Sequence, residues 1–444
     1  MQTKLIIILL LLSSLLYAER TVSLSEAVEA ALVENDALVS ADYDLKSTTW
    51  DKYGTLSSFL PTASFSMSRL QLDPAPEYID YMGNTSQLDK VQTTNSLQIV
   101  QPILTGGKRI LGYFITQRLE QMAENQYASV ELDTRNTCEL KYMSLVEAYH
   151  LRDLARDDLV AMQNTLTITQ VKYETGLTAE AEFLQIQSET AAREAALADA
   201  EMYYQMAAAD LANFCNFSER ILIPENSVYD KALDAVFEKA DTDLLLVKLE
   251  ALCLKQNLTL KTMEESVKLS KLNKMMALSD NLPSLNLIYE KSWEDDFDLD
   301  NEKDASTSLM LTASLPLLPF ADTYCKYQSE HYQYKKAQRV ASAAAKGMKL
   351  QVTSTILALQ GALRKLRSSE LAEQYAEQTY LQMEERYSNN LISASELLGI
   401  SVMKQSSAIG VLQDQINLIR YKSELKKLLN LSSDQELINI LINI

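Results

Sequence analysis

Few residues of this chain are of the kinds that make and break bonds. His150 and His331, the only two histidines, stand isolated on helical patterns, without HExxH spacing or a triad-like context. No phosphate-binding P-loop, dinucleotide fingerprint or nucleophile elbow occurs. The four cysteines, Cys138, Cys215, Cys253 and Cys325, lie far apart and lack the paired spacing of a zinc or redox site. Three of them, Cys138, Cys215 and Cys253, fall in helical patterns and read as small apolar packing residues. Met275 and Met276 offer soft-metal ligands, but core packing explains them better. Neither catalysis nor a cofactor nor a bound metal is expected.

Two carboxylates stand out by position instead. Glu182 follows Tyr173-Glu-Thr-Gly176-Leu177, and Glu396 follows Tyr387-Ser-Asn-Asn390-Leu391, each at the same distance from its tyrosine. Gly176 and Asn390 occupy the place where a helix must stop in the left-handed conformation. Both stretches therefore read as helix–turn–helix breaks with an acidic residue near the second helix start. A carboxylate there is favoured by the helix dipole.

The elements that position these breaks come in duplicate. Ala27 to Leu38 resembles Leu249 to Leu260, and Leu60-Pro61 resembles Leu282-Pro283, both at an offset of 222. From Pro102 and Pro316 onward the offset is 214, and it persists through Asn216-Phe-Ser218 and Asn430-Leu-Ser432. The change falls between the paired prolines, which is the behaviour of a surface loop. Each copy reads helix, strand, loop, strand, long helix, break, long helix. The strands are expected at about 62–72, 92–101, 284–292 and 306–315. They alternate apolar and polar residues, as in Ala63, Phe65 and Met67 or Leu309, Leu311 and Ala313. Their lengths suit tilted membrane strands, although soluble sheets alternate too. Polar and acidic loops such as 294–304 belong on a wet rim, with Tyr78, Tyr289 and Trp293 at an aromatic girdle or in ordinary strand packing.

Heptad spacing links Leu398, Val402, Ile409, Leu412, Ile416 and Ile419. Leu184, Ser188, Ala191, Ala195, Ala198 and Met202 share that rhythm, which predicts coiled-coil seams. From Lys108 to Tyr173 only Gly112 interrupts a helix-forming run, long enough for roughly 100 Å of helix. With 10 Gly and 8 Pro in 444 residues, long helices are the natural product.

The N-terminus supplies the address. Lys4, the apolar run Leu5–Leu16 and Ala18 have the layout of a secretory signal peptide, too short to span a bilayer as a helix. No later apolar run is long enough to span, so a membrane location requires a β-barrel. The net charge of −19 disfavours nucleic acid as a partner. Expected divisions are a signal at 1–18, a first repeat at 19–218, a connector at 219–243, a second repeat at 244–432 and a tail at 433–444.

The signal, the duplicated plan, the strand-flanking prolines and the Tyr-x-x-Gly-type breaks together resemble the TolC-type outer-membrane efflux protein family. The resemblance covers the whole mature chain. It implies a mainly α fold with a membrane β-barrel portion. Three chains would close a 12-stranded barrel continuous with a long periplasmic α-helical barrel, and the connector and tail would form an equatorial belt. It further implies a passive outer-membrane duct of a tripartite efflux or type I secretion system. The partners would be outer-membrane lipid, a periplasmic adaptor and an inner-membrane pump of the RND or ABC type. Tyr173, Gly176, Glu182, Tyr387, Asn390 and Glu396 then become helix-hairpin tip and gate candidates. Gly399 and Ile392 depart from the acidic and basic tip residues of some members. An exported periplasmic coiled-coil spacer or adaptor is the competing reading.

Overall fold

A computed structural model of the chain describes residues 19–74, 77–79, 81–83, 85–87, 91–218, 221–225, 237, 242–295, 304–316 and 320–442. The expected signal peptide, most of the connector, the acidic loop 296–303 and the side chain of Tyr78 lie outside the described residues. Among those described, the order is β1 (Glu19–Val22), α1 (Leu24–Glu34), α2 (Asp36–Ser57), β2 (Thr62–Gln71), β3 (Glu77–Ile79), β4 (Thr85–Gln87), β5 (Val91–Thr105), α3 (Lys108–Glu174) and α4 (Glu180–Phe214). Then follow β6 (Ile221–Pro224), α5 (Thr242–Gln256), α6 (Leu258–Ser279), β7 (Ser284–Asp295), β8 (Asp304–Ser314), α7 (Phe320–Ser388), α8 (Ala394–Leu429) and α9 (Asp434–Ile442). No described helix is long and apolar enough to cross a membrane.

Contacts divide the chain into two compact units, and each takes segments from both sequence copies. The repeats and the units thus cut the chain differently. One unit comprises Tyr43–Asn125 and Lys261–Ser342 and holds an antiparallel sheet in the order β2-β5-β7-β8. Pro102 does not close β5 as expected. The strand continues to Thr105, and the register slips between Pro102 and Leu104, the kind of irregularity where a residue without an N–H is tolerated. Gly106 (φ +60°) then turns the chain beneath α6. A Cβ there would stand 2.6 Å from the Ser279 carbonyl oxygen, so no other residue fits without movement. The helices of this unit are cross-linked by Lys52–Glu120 (2.6 Å), Arg118–Glu265 (3.1 Å) and Lys108–Asp280 (2.7 Å).

The other unit comprises Met1–Asp42, Gln126–Leu260 and Ala343–Ile444. Its core keeps the duplication visible. Val22, Tyr142, Leu145, Tyr204 and Leu211 pack in the first copy, and Leu245, Leu249, Ile356, Leu359, Leu418 and Leu425 in the second. Asn35 Nδ2 donates to the Phe214 carbonyl at 3.4 Å, and its counterpart Asn257 Nδ2 donates to Leu428 at 3.0 Å. β1 and β6 form a small parallel sheet, anchored by Tyr142 on Val22 O (3.1 Å) and by Tyr204 on Leu222 O (2.9 Å).

The heptad expectation holds in period, fails in phase on α4 and is met in part on α8. In α8 the buried positions include Leu397, Ser401, Val411, Leu418 and Leu425, one residue ahead of the expected seam, of which Leu398 is itself buried, Val402 exposed and the remainder half-buried. In α4 they include Ile186, Thr190, Tyr204 and Leu211, while every expected seam position from Leu184 to Met202 is exposed. A 3.5-residue rhythm can be read in two neighbouring stripes of one helix. In α4 the chain buries one stripe against itself and leaves the other free.

Candidate functional site

The sheet is two-faced. Its register aligns Ala63, Ile99, Tyr289 and Leu309 in one row, with Phe65 and Leu97 to one side and Leu287 and Leu311 to the other. Successive residues point to opposite faces. The alternate rows are Ser64, Gln98, Glu290 and Ser308, then Ser66, Ser96, Ser292 and Ser306. The serine row is hydrogen-bonded, with Ser66–Ser96 and Ser292–Ser306 hydroxyls each 2.7 Å apart. Val100, Ile288 and Met310 interrupt the polar face, while Lys291 and Arg69 lie toward the Trp293 end of the apolar one. Lys291 Nζ rests 5.2 Å from the Trp293 ring, a polar tip on an aromatic body.

Both outer strands are unpaired on one side. Among the described residues β2 pairs with β5 alone and β8 with β7 alone. Along these edges Phe65, Met67, Leu309 and Leu311 are more than half exposed. Such an edge leaves a row of backbone N–H and C=O groups without partners, which is costly away from water.

The two helical breaks lie in the other unit, and the structure brings them together. Gly176 (φ +76°) and Asn390 (φ +60°) are both left-handed, as their positions require. The six candidates nonetheless play different roles. Glu182 reaches across to the second break: its Oε1 accepts from the Ala394 backbone N–H at 2.7 Å, and its Oε2 accepts from the Thr178 hydroxyl. A carboxylate of one hairpin thus caps the helix of the other. Glu396 acts locally, closing a capping box with Ser393. The Ser393 backbone N–H (2.9 Å), then its hydroxyl (3.1 Å), hold the Glu396 carboxyl below the usual glutamate range.

Tyr173 and Tyr387 also diverge. Tyr173 is 39 % exposed and stacks on Phe183 with centroids 5.3 Å apart, whereas Tyr387 is 3 % exposed. Because the Thr169 hydroxyl donates to the Thr165 carbonyl, Tyr387 is the donor in its 2.7 Å bond to Thr169. Lys172 lies over the Tyr387 ring at 3.9 Å and donates to its backbone carbonyl. Burial pushes the Lys172 ammonium down from its ordinary value, and the Glu182 charge opposes that. Met162, Ile186, Tyr380, Leu397 and Leu398 complete the core beneath. Further along, Arg193 ties three helices together. It lies 3.1 Å from Asp158, 2.9 Å from Glu189 and donates to Gln405 at 2.6 Å.

Lys172, Thr169 and Arg193 were not legible as site residues, since nothing in their local sequence marks the partner hundreds of residues away. Among the described residues, no group of three or more potential ligands could hold a metal ion.

Residues 28–216 match the family model described as outer membrane efflux protein. The outer membrane protein VceC of Vibrio cholerae superposes with a TM-score of 0.76 at 15 % identity, over 91 % of this chain and 95 % of that one. The fold is that of an outer membrane efflux channel. The CmeC outer membrane channel of Campylobacter jejuni gives 0.76 at 16 % identity, over 94 % and 88 % of the two chains. The open-state MtrE outer membrane channel of Neisseria gonorrhoeae gives 0.72 at 14 %, over 92 % and 89 %. No curated protein sequence matches the chain. The resemblance noted in the sequence to the efflux family therefore holds, and the family match spans most of the first copy of the duplicated plan.

Proposed function

We propose that this chain is one subunit of a passive outer-membrane duct, exporting substrates handed to it from the periplasm and the inner membrane. The observation that carries this reading is the β2-β5-β7-β8 sheet, apolar on one face, polar on the other and unpaired at both edges. In lipid, a four-stranded sheet with free edges is untenable, and four strands are too few to close around a lumen. Three copies joined β8 to β2 make a 12-stranded barrel, with the serine row facing water and the Ile99 row facing lipid. The exposed stripe on α4 is then covered by sister helices in the periplasm. An adaptor protein and an inner-membrane pump, driven by proton-motive force or ATP, complete the system. The duct itself performs no chemistry.

Fractionation and recording test this. The mature protein is expected in the outer-membrane fraction as trimers that dissociate on heating, and to conduct ions in planar bilayers. A monomer in the aqueous extract, as a coiled-coil spacer would give, together with absent conductance, sinks the duct.

The six hairpin tips of such a trimer form its periplasmic mouth, with Glu182 and Glu396 among its charges. Replacing both with glutamine keeps an acceptor oxygen for the Ala394 and Ser393 amides while removing the charge. The cation-over-anion permeability ratio is expected to fall on the order of a few-fold. An unaltered reversal potential in a salt gradient would take both residues out of the conduction path.

A further inference from the structure

Cys138 lies on α3, and Cys215 caps the end of α4, 77 positions later. Both belong to the core of the first copy, at 0 % and 1 % exposure. Their sulfurs are 3.8 Å apart, and the Cys215 thiol donates to the Ala27 carbonyl at 3.4 Å, which leaves Cys138 as the donor to Cys215. That hydrogen bond, then burial, pushes the Cys138 thiol up, while receiving it lowers Cys215.

The internal repeat supplies a control. At the offset of 214, the counterparts of Cys138 and Cys215 are Val352 and Leu429, each fully buried in the core of the second copy. Aliphatic side chains satisfy the same packing there. In the first copy both positions are cysteine and the sulfurs touch, which packing alone does not require.

We propose that Cys138 and Cys215 form a disulfide in the exported protein, tying α3 covalently to the end of α4. The proposal rests on the export reading above, because such bonds persist in oxidising compartments. The oxidant is a disulfide donor of that compartment, R–S–S–R. One cysteine thiolate attacks a donor sulfur and releases RS⁻, giving a mixed disulfide. The second thiolate then attacks the cysteine sulfur of that adduct, forming the Cys138–Cys215 bond and releasing the second RS⁻. The protons lost by the two cysteines are taken up by the two donor thiolates, so the pair is oxidised by two electrons and the donor reduced by two. Burial shields both thiols in the folded unit, so exchange precedes closure of the core.

The full chain, recovered from the outer-membrane fraction, is quenched in acid, denatured and treated with a polyethylene-glycol maleimide before and after reduction. Two labels are expected before reduction, on Cys253 and Cys325, and four after, with a cross-linked peptide joining Cys138 and Cys215. Four labels without reduction, in protein that does reach the outer membrane, overturn the disulfide and leave the duct intact. Should the protein be absent from that fraction, the duct fails instead. The same label count on purified chain refolded in a glutathione redox buffer then decides the disulfide. The double variant C138V/C215L, which copies the second repeat, is expected to fold and to melt at a temperature indifferent to reductant. The parent protein, denatured and refolded either with or without reductant, is expected to melt lower when refolded reduced; equal melting of the two preparations overturns the proposal.

Discussion

Arginine in place of Ile99 is expected to abolish the assembled channel, while arginine at the adjacent Gln98 leaves it assembled. Both residues sit on β5, opposite Ala63 and Ser64 of β2 respectively. Across β7 they face Tyr289 and Glu290. In the proposed barrel, Ile99→Arg places a cation on the lipid side, at about 2–4 kcal/mol per chain near the midplane. Three chains carry the change, so the trimer loses roughly 6–12 kcal/mol, comparable to the whole stability of a typical domain. Gln98→Arg puts the same charge on the polar side, next to Glu290 across the ladder, where an opposite charge is mildly favourable. The measurement is the fraction of heat-dissociable trimer in outer membranes, with conductance for whatever assembles. Equal assembly of the two variants would refute the assignment of faces, because their only difference is one step along a strand.

Tyr387→Ala is the second large effect. The ring is buried among Met162, Ile186, Tyr380 and Leu397, covered by Lys172 and bonded to Thr169. Truncation leaves a cavity worth about 3–5 kcal/mol and removes the aromatic face on which the Lys172 ammonium rests. Tyr387→Phe, which removes one hydroxyl, is expected to cost about 1 kcal/mol. Tyr173→Ala, at the equivalent position, forfeits one exposed stacking pair, about 0.5–1.5 kcal/mol. Hydrogen exchange at amides 389–397 reads this directly: protection should drop at least about a hundredfold for Tyr387→Ala and far less for the other two. In bilayers, the Tyr387→Ala channel is expected to show a raised resting conductance, because the second hairpin loses its attachment to α3. Matching exchange rates in the Tyr173 and Tyr387 variants would show that the two tips are held alike.

Much of the architecture was readable from local rules. The left-handed stops at Gly176 and Asn390 follow from backbone sterics at a helix end, and the 214 offset marked them before any geometry was known. The alternation in Ala63, Phe65 and Met67 named one face of β2, although nothing local said that β5 would be sandwiched between β2 and β7. Pro102 was misread as a strand end because a proline lacks the ladder donor, yet a register slip absorbs it. The heptad stripe of α4 was misphased because small and apolar residues satisfy the rhythm on more than one stripe of that helix.

Sequence by itself determined the duplicated plan, the four two-faced strands, the long helices and the places where helices must turn. All of these depend on backbone sterics and on periods of 2 and 3.5–3.6 residues, which act within a few neighbours. Only the tertiary structure decided which stripe of each helix is buried and which of two equivalent tyrosines anchors a tip. It also decided that Glu182 caps a helix 212 residues away and that Cys138 meets Cys215. Those outcomes depend on which surfaces meet when chemically similar stretches pack, and contact between distant segments leaves no trace in the local pattern of either one.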